Sequence, residues 1–137
     1  MAKTKWTWAP GPSSRPKAKI TDLAKAEIQK KCEELIEQTL KPMHIKPPPQ
    51  DSEWNYLVDI FAKWQRSYLY FCSKYNCPSP NAIAPSFEDK FARLEYVGPN
   101  QFNLSYRRHT QQWLEIAAGL TLEQCFNAIK DDPLFAP

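Results

Sequence analysis

Four cysteines and two histidines are the side chains best suited to chemistry in this sequence, and their spacing decides what they can do. His44 and His109 have no cysteine, histidine or carboxylate at the separation that a zinc or di-metal site requires. Cys32, Cys72, Cys77 and Cys125 contain no CxxC pair, so no dithiol motif and no metal ligand set is spelled out. Cys77 is the thiol most open to attack, because Pro78, Pro80 and Pro85 punctuate the loop it begins. Nucleophilic thiols need a lowered pKa, and Lys74 is the one nearby cation in sequence. The expectation is a cysteine without a reaction. GxSxG, HExxH and a phosphate-cradling loop are all missing, and three glycines leave little material for such a loop. No catalytic residue, no metal and no cofactor is assigned, and the reading leans away from an enzyme.

Binding is better supplied than catalysis. Trp54, Tyr56, Trp64, Tyr68, Tyr70, Phe71 and Tyr75 crowd one short stretch, with Lys63, Arg66 and Lys74 between them. Aromatic platforms flanked by cations stack nucleobases in sheet-based binders, but packing into the core against the helices is the favoured reading, because each strand must bury one face and aromatics are good strand formers. Arg107, Arg108, His109 and Thr110 form a second polar cluster, able to grip an anion or to sit as a solvated turn. On a strand Arg107 and Arg108 point to opposite faces, so one is expected to pair across the sheet with Glu95 or Glu115. The candidate binding residues are Trp64, Arg66, Tyr68, Tyr70, Arg107, Arg108 and His109, with Trp6 and Trp8 as possible contacts from the N-terminal segment.

These residues must be positioned by secondary structure, and the hydrophobic periodicity indicates which. Ala24, Ile28, Cys32, Leu35, Ile36 and Leu40 recur at helical spacing behind a cap at Thr21 or Asp22, and Pro42 is expected to end that helix. Pro47, Pro48 and Pro49 then predict an extended polyproline strut. Alternate positions from Trp54 to Trp64 are apolar, which predicts a strand; Trp54, Leu57, Val58, Phe61 and Trp64 also fit a helix, and aromatic and β-branched enrichment favours the strand. Residues 67–74 are apolar on both faces and predict an interior strand, with Gln65 and Arg66 at the intervening turn. A hairpin over 87–97 and 102–108 turns at 98–101, and a short strand begins at Trp113. Thr121 and Gln124 form a capping box for a last helix, with Leu120 as its staple and Leu122, Cys125, Phe126 and Ile129 as its apolar face.

Length and composition bound the rest. A chain of 137 residues with 42% apolar and 13% aromatic content holds one core. Residues 1–19 carry Lys3, Lys5, Arg15, Lys17 and Lys19, no acid, and three of the thirteen prolines; they are expected to form a basic tail, with residues 20–137 as a single domain. A net charge of +3 is too small to imply nucleic acid by itself. With no apolar run of membrane-spanning length and no secretory signal, a cytoplasmic location with reduced thiols is expected, and no membrane partner.

Over Phe91-Ala92-Arg93-Leu94-Glu95-Tyr96-Val97-Gly98, over Phe102-Asn103-Leu104-Ser105-Tyr106-Arg107-Arg108-His109-Thr110, and from Leu122-Glu123 to Asp132-Pro133-Leu134-Phe135, the chain resembles a small family of uncharacterised bacterial proteins. The resemblance runs from about Leu40 to the C-terminus. It implies a bacterial, cytoplasmic, stand-alone domain and carries no activity. The fold expected is α+β: an antiparallel meander of four to five strands packed with an N-terminal amphipathic helix and a short C-terminal helix. The function expected is non-catalytic binding of a protein partner or a second copy through an aromatic-rich sheet face. RNA or single-stranded nucleic acid is the alternative, and a small enzyme the least favoured.

Overall fold

The structure, a computed structural model, describes residues 20–47, 54–108 and 110–137. Trp6, Trp8, Pro48, Pro49 and His109 lie outside the described residues. Helix α1 (Asp22–Leu35) starts where the sequence places it, with the Thr21 hydroxyl accepting from the Ala24 N–H at 3.1 Å. Pro42 does not end the helical run. A π-helical turn (Ile36–Leu40) intervenes, and the Lys41 N–H donates five residues back to the Ile36 carbonyl. That extra residue shifts the carbonyls a proline ring would otherwise strike, so Pro42 sits in the first turn of a restarted helix, α2 (Lys41–His44).

The five strands are β1 (Tyr56–Gln65), β2 (Tyr68–Asn76), β3 (Ser86–Gly98), β4 (Gln101–Arg107) and β5 (Trp113–Leu120). They pair antiparallel with their neighbours in chain order, the expected meander. Trp54 precedes the first strand and is 82% exposed, because the strand begins only at Tyr56. Between β3 and β4 the turn is Pro99-Asn100 rather than four residues, with Gly98 opposite Gln101. Proline fixes the first turn position and Asn100 takes φ +51°, which asparagine tolerates. The last strand continues to Leu120 instead of stopping near Ile116. Its bulges, beside Ser105 and Leu104 of β4, absorb residues that break strict alternation, and Gly119 at φ +68° relaxes the second.

Helix α3 (Leu122–Asp131) opens with the predicted capping box: Thr121 Oγ1 accepts from the Gln124 N–H at 3.1 Å, and Gln124 Oε1 from the Thr121 N–H at 2.9 Å. Asn100 of the hairpin turn adds a third contact, accepting the Leu122 N–H at 3.0 Å. A 3₁₀ turn (Pro133–Phe135) closes the chain and buries Phe135. Both helical segments pack on one sheet face: Cys32, Ile36 and Leu40 from the N-terminal run, and Leu122, Cys125 and Ile129 from α3, meet Ile60, Leu69, Phe71, Leu94 and Leu104. Gln29 fixes α1 to the edge strand by donating to the Ala62 carbonyl at 2.9 Å.

The capping box makes a quantitative prediction. Thr121→Ala removes the acceptor for a backbone N–H and should lower unfolding stability by about 1 kcal/mol; Glu123→Ala, exposed in the same turn, should cost far less, as read from urea midpoints. Equal losses from the two variants would show that the cap contributes nothing specific.

Candidate functional site

Strand pairing places opposed residues on the same sheet face, so the register itself assembles the site. One row crosses the whole sheet: Lys63, Tyr70, Arg93, Ser105 and Glu115. The next row holds Gln65, Tyr68, Glu95 and Asn103. Leu69, Leu94 and Leu104, one step out of phase with these rows, are buried against the helices. The two rows therefore belong to the opposite face, over which no helix lies among the described residues. A bulge between Phe71 and Cys72 puts Ala92 and Lys90 opposite consecutive residues. It turns Phe91 into the core and brings Lys90 to the open face.

The side chains on this face form a continuous cation–aromatic network. The rings of Tyr68 and Tyr70 stand 6.0 Å apart, and those of Tyr70 and Trp113 5.7 Å apart. Arg93 lies between them, its guanidinium 4.6 Å from the Tyr68 ring centre and 4.9 Å from that of Trp113. Lys90 sits 4.4 Å from the ring centre of Tyr70. Trp113 starts β5 opposite Arg107, yet its ring reaches Tyr70 three strands away. Ser105, in the row with Tyr70 and Arg93, is 2% exposed. The Arg93 Nε is buried with no hydrogen-bond partner. A buried polar atom of that kind is costly, so attraction to the two ring faces is what offsets it.

The remaining polar groups are largely engaged within the fold. Arg107 Nη1 bonds Asp89 Oδ1 at 3.0 Å, and its Nη2 donates to Gln111. Arg107 thus pairs with Asp89, which stands where β3 runs on past the end of β4. Asp59 is held by Lys41 at 3.2 Å. Burial pushes the Cys72 thiol up to about 11 and that of Cys125 up to about 12. Burial, then the neighbouring Cys125, drives Cys32 higher still. These three thiols are poor nucleophiles at neutral pH. Cys77 is half-buried in its loop. Among the described residues no group of three metal-ligating side chains converges, and no helix is long and apolar enough to cross a membrane.

Of the residues singled out from the sequence, Tyr68 and Tyr70 stand on the open face, and Arg107 borders it. Trp64 does not join them. It lies opposite Leu69 on the helix side, packed against the core under Lys25 at 5.5 Å. Arg66 is in the β1–β2 turn at φ +57°, exposed, and Arg108 is exposed in the β4–β5 connection. His109, Trp6 and Trp8 lie outside the described residues. Arg93, Lys90 and Trp113 were missed as site residues. Simple alternation would have flagged Arg93 beside Tyr68 and Tyr70, but the Phe91 bulge hides Lys90.

If Arg93 organises the rings, its effect is coupled to theirs. A double-mutant cycle on Arg93→Ala and Trp113→Ala should show a coupling of about 0.5–1 kcal/mol in unfolding stability. Strictly additive losses would mean that the sandwich contributes no energy.

The chain matches no curated protein and no solved structure. One family matches, over residues 20–137, so the likeness begins about twenty residues before Leu40 and takes in the whole of α1. The chain belongs to the family described as Domain of unknown function (DUF3024).

Proposed function

We propose that the protein is a non-catalytic binding domain that engages a protein partner through the open face of its sheet. The observation that carries this reading is the clamping of Arg93 between Tyr68 and Trp113, which holds Tyr68, Tyr70 and Trp113 as one surface. Tyr, Trp and Arg are the residues that dominate binding energy at protein interfaces. Fixing them before contact reduces the ordering entropy that association must overcome. A second copy of the chain is one such partner. Described cysteines that stand as free thiols suit a bacterial cytoplasm, the setting implied by the family resemblance.

Single-stranded nucleic acid is the second reading, favoured by Lys63, Lys90 and Arg93 beside the rings and by the basic first nineteen residues. Against it, Arg93 and Lys90 already lie over the ring faces on which bases would stack.

A photo-cross-linking residue at Lys63, on the open face, should capture a protein in cells; the adduct should disappear with Tyr70→Ala/Trp113→Ala and be absent when the probe is moved to exposed Lys30 on α1. Adducts of equal yield from both positions would remove the open face from consideration. A nuclease-sensitive adduct, with RNA affinity falling steeply as salt rises, would replace the protein reading by the nucleic-acid one.

A further inference from the structure

Three cations stand around Tyr70 on the open face. Lys63 lies opposite it on β1, Arg93 opposite it on β3, and Lys90 is 4.4 Å from its ring centre. Lys63 and Lys90 are both close enough to the Cys72 thiol to draw its pKa down against the effect of burial. All three cations are half-buried. Among the described residues, none of them makes a hydrogen bond or an ion pair through its charged group. Elsewhere in the fold Lys41 and Arg107 meet carboxylates, Asp59 at 3.2 Å and Asp89 at 3.0 Å. Asp89, next to Lys90 in sequence, is therefore already engaged. Glu95 accepts from Asn103 at 3.5 Å in the adjoining row, and Glu115 stands exposed at the far end of the row of Arg93. The middle of the face carries positive charge that the fold leaves without a carboxylate.

Arg93 gives this charge a direction. With the Tyr68 and Trp113 rings 4.6 and 4.9 Å from its guanidinium carbon, its free N–H groups serve contacts in its own plane. Of its nitrogens only Nε is buried without a partner, so the two Nη atoms are the ones within a ligand's reach. A planar guanidinium edge matches a carboxylate with two parallel hydrogen bonds. A nucleobase would instead need the ring faces that Arg93 and Lys90 already occupy. Lys63 and Arg93 are two strands apart, about 10 Å between backbones, and alternate side chains of an extended segment recur about every 7 Å. The long lysine stem covers that difference.

On the reading that this face engages a protein, we propose that it takes an extended acidic segment of the partner. One carboxylate meets the Nη edge of Arg93, and its neighbours along the segment meet Lys63 and Lys90. Tyr70 and Trp113 supply the apolar surface between these contacts.

The test is titration of the full chain with a synthetic peptide of alternating Glu and Thr, followed by NMR, with Gln/Thr and Lys/Thr peptides as controls. The Glu/Thr peptide should move the Arg93 side-chain signal and the amides of Lys63, Tyr70 and Lys90, and the controls should move none of them. Arg93→Lys, and separately Lys63→Gln/Lys90→Gln, should each weaken binding about tenfold, with unchanged signals from Cys32 and Cys125 reporting an intact fold. Equal shifts from the Gln/Thr peptide would overturn the acidic partner while leaving the face a protein-binding surface. No shift on this face with the Glu/Thr peptide, or affinity untouched by both variants, would also overturn the proposal. Oligothymidylate moving the same signals at lower concentration than the acidic peptide would overturn both the proposal and the protein reading beneath it.

Discussion

Among the described residues, the helical segments lie on one side of a five-stranded antiparallel sheet and bury that face, while on the other the side chains of the strands pack on one another. The rest of the structure follows from that constraint. An uncovered face of aliphatic residues would be an aggregation liability. A face of isolated charges would hold no shape. Here amphipathic residues do both tasks: Tyr68, Tyr70 and Trp113 supply area, and Arg93 and Lys90 lie on their rings. Arg107, tied to Asp89, fixes the margin where β3 outruns β4.

Two local irregularities tune this surface. The bulge at Phe91 rotates one aromatic into the core, where it meets Phe71 edge-on at 6.1 Å, and in the same step delivers Lys90 to Tyr70. Ser105, small and buried, stands in the row with Tyr70 and Arg93 on the face across which Trp113 reaches Tyr70. At the other end of the sheet, Asn100 and Asn103 accept the N–H groups of Leu122 and Gly119, locking the β3–β4 hairpin to the start of α3 and to the bulged end of β5.

Much of this was legible in the residues. Thr21 and the capping box of Thr121 and Gln124 announced both helices because capping is a local interaction between a side chain and a nearby backbone group. Tertiary packing then buried Ile60 and Ala62, in phase with the alternation of the first strand. Pro42 misled because a π turn is a rearrangement of hydrogen bonds with no compositional mark. Trp64 misled for a different reason. A tryptophan near the end of a strand reads as a platform residue, but whether it meets helix or solvent depends on which face the helices choose, and here Trp64 packs on the helix-side core with Lys25 of α1 over its ring. Arg93 and Trp113 sit on strands that are two apart in the sheet and twenty residues apart in sequence, so only the fold brings their side chains together.

The central claim is that the open face carries a preformed cation–aromatic surface in the free protein. Ring-to-ring nuclear Overhauser effects measured on the isolated chain in solution test it most directly. The account requires cross-peaks from Trp113 to Tyr70, and from Arg93 side-chain protons to both Tyr68 and Trp113, with Tyr70 and Trp113 accessible to a soluble relaxation agent and Leu69 and Phe71 shielded from it. Contacts missing from Trp113 to Tyr70, or Tyr70 and Trp113 as shielded as the core, would contradict it.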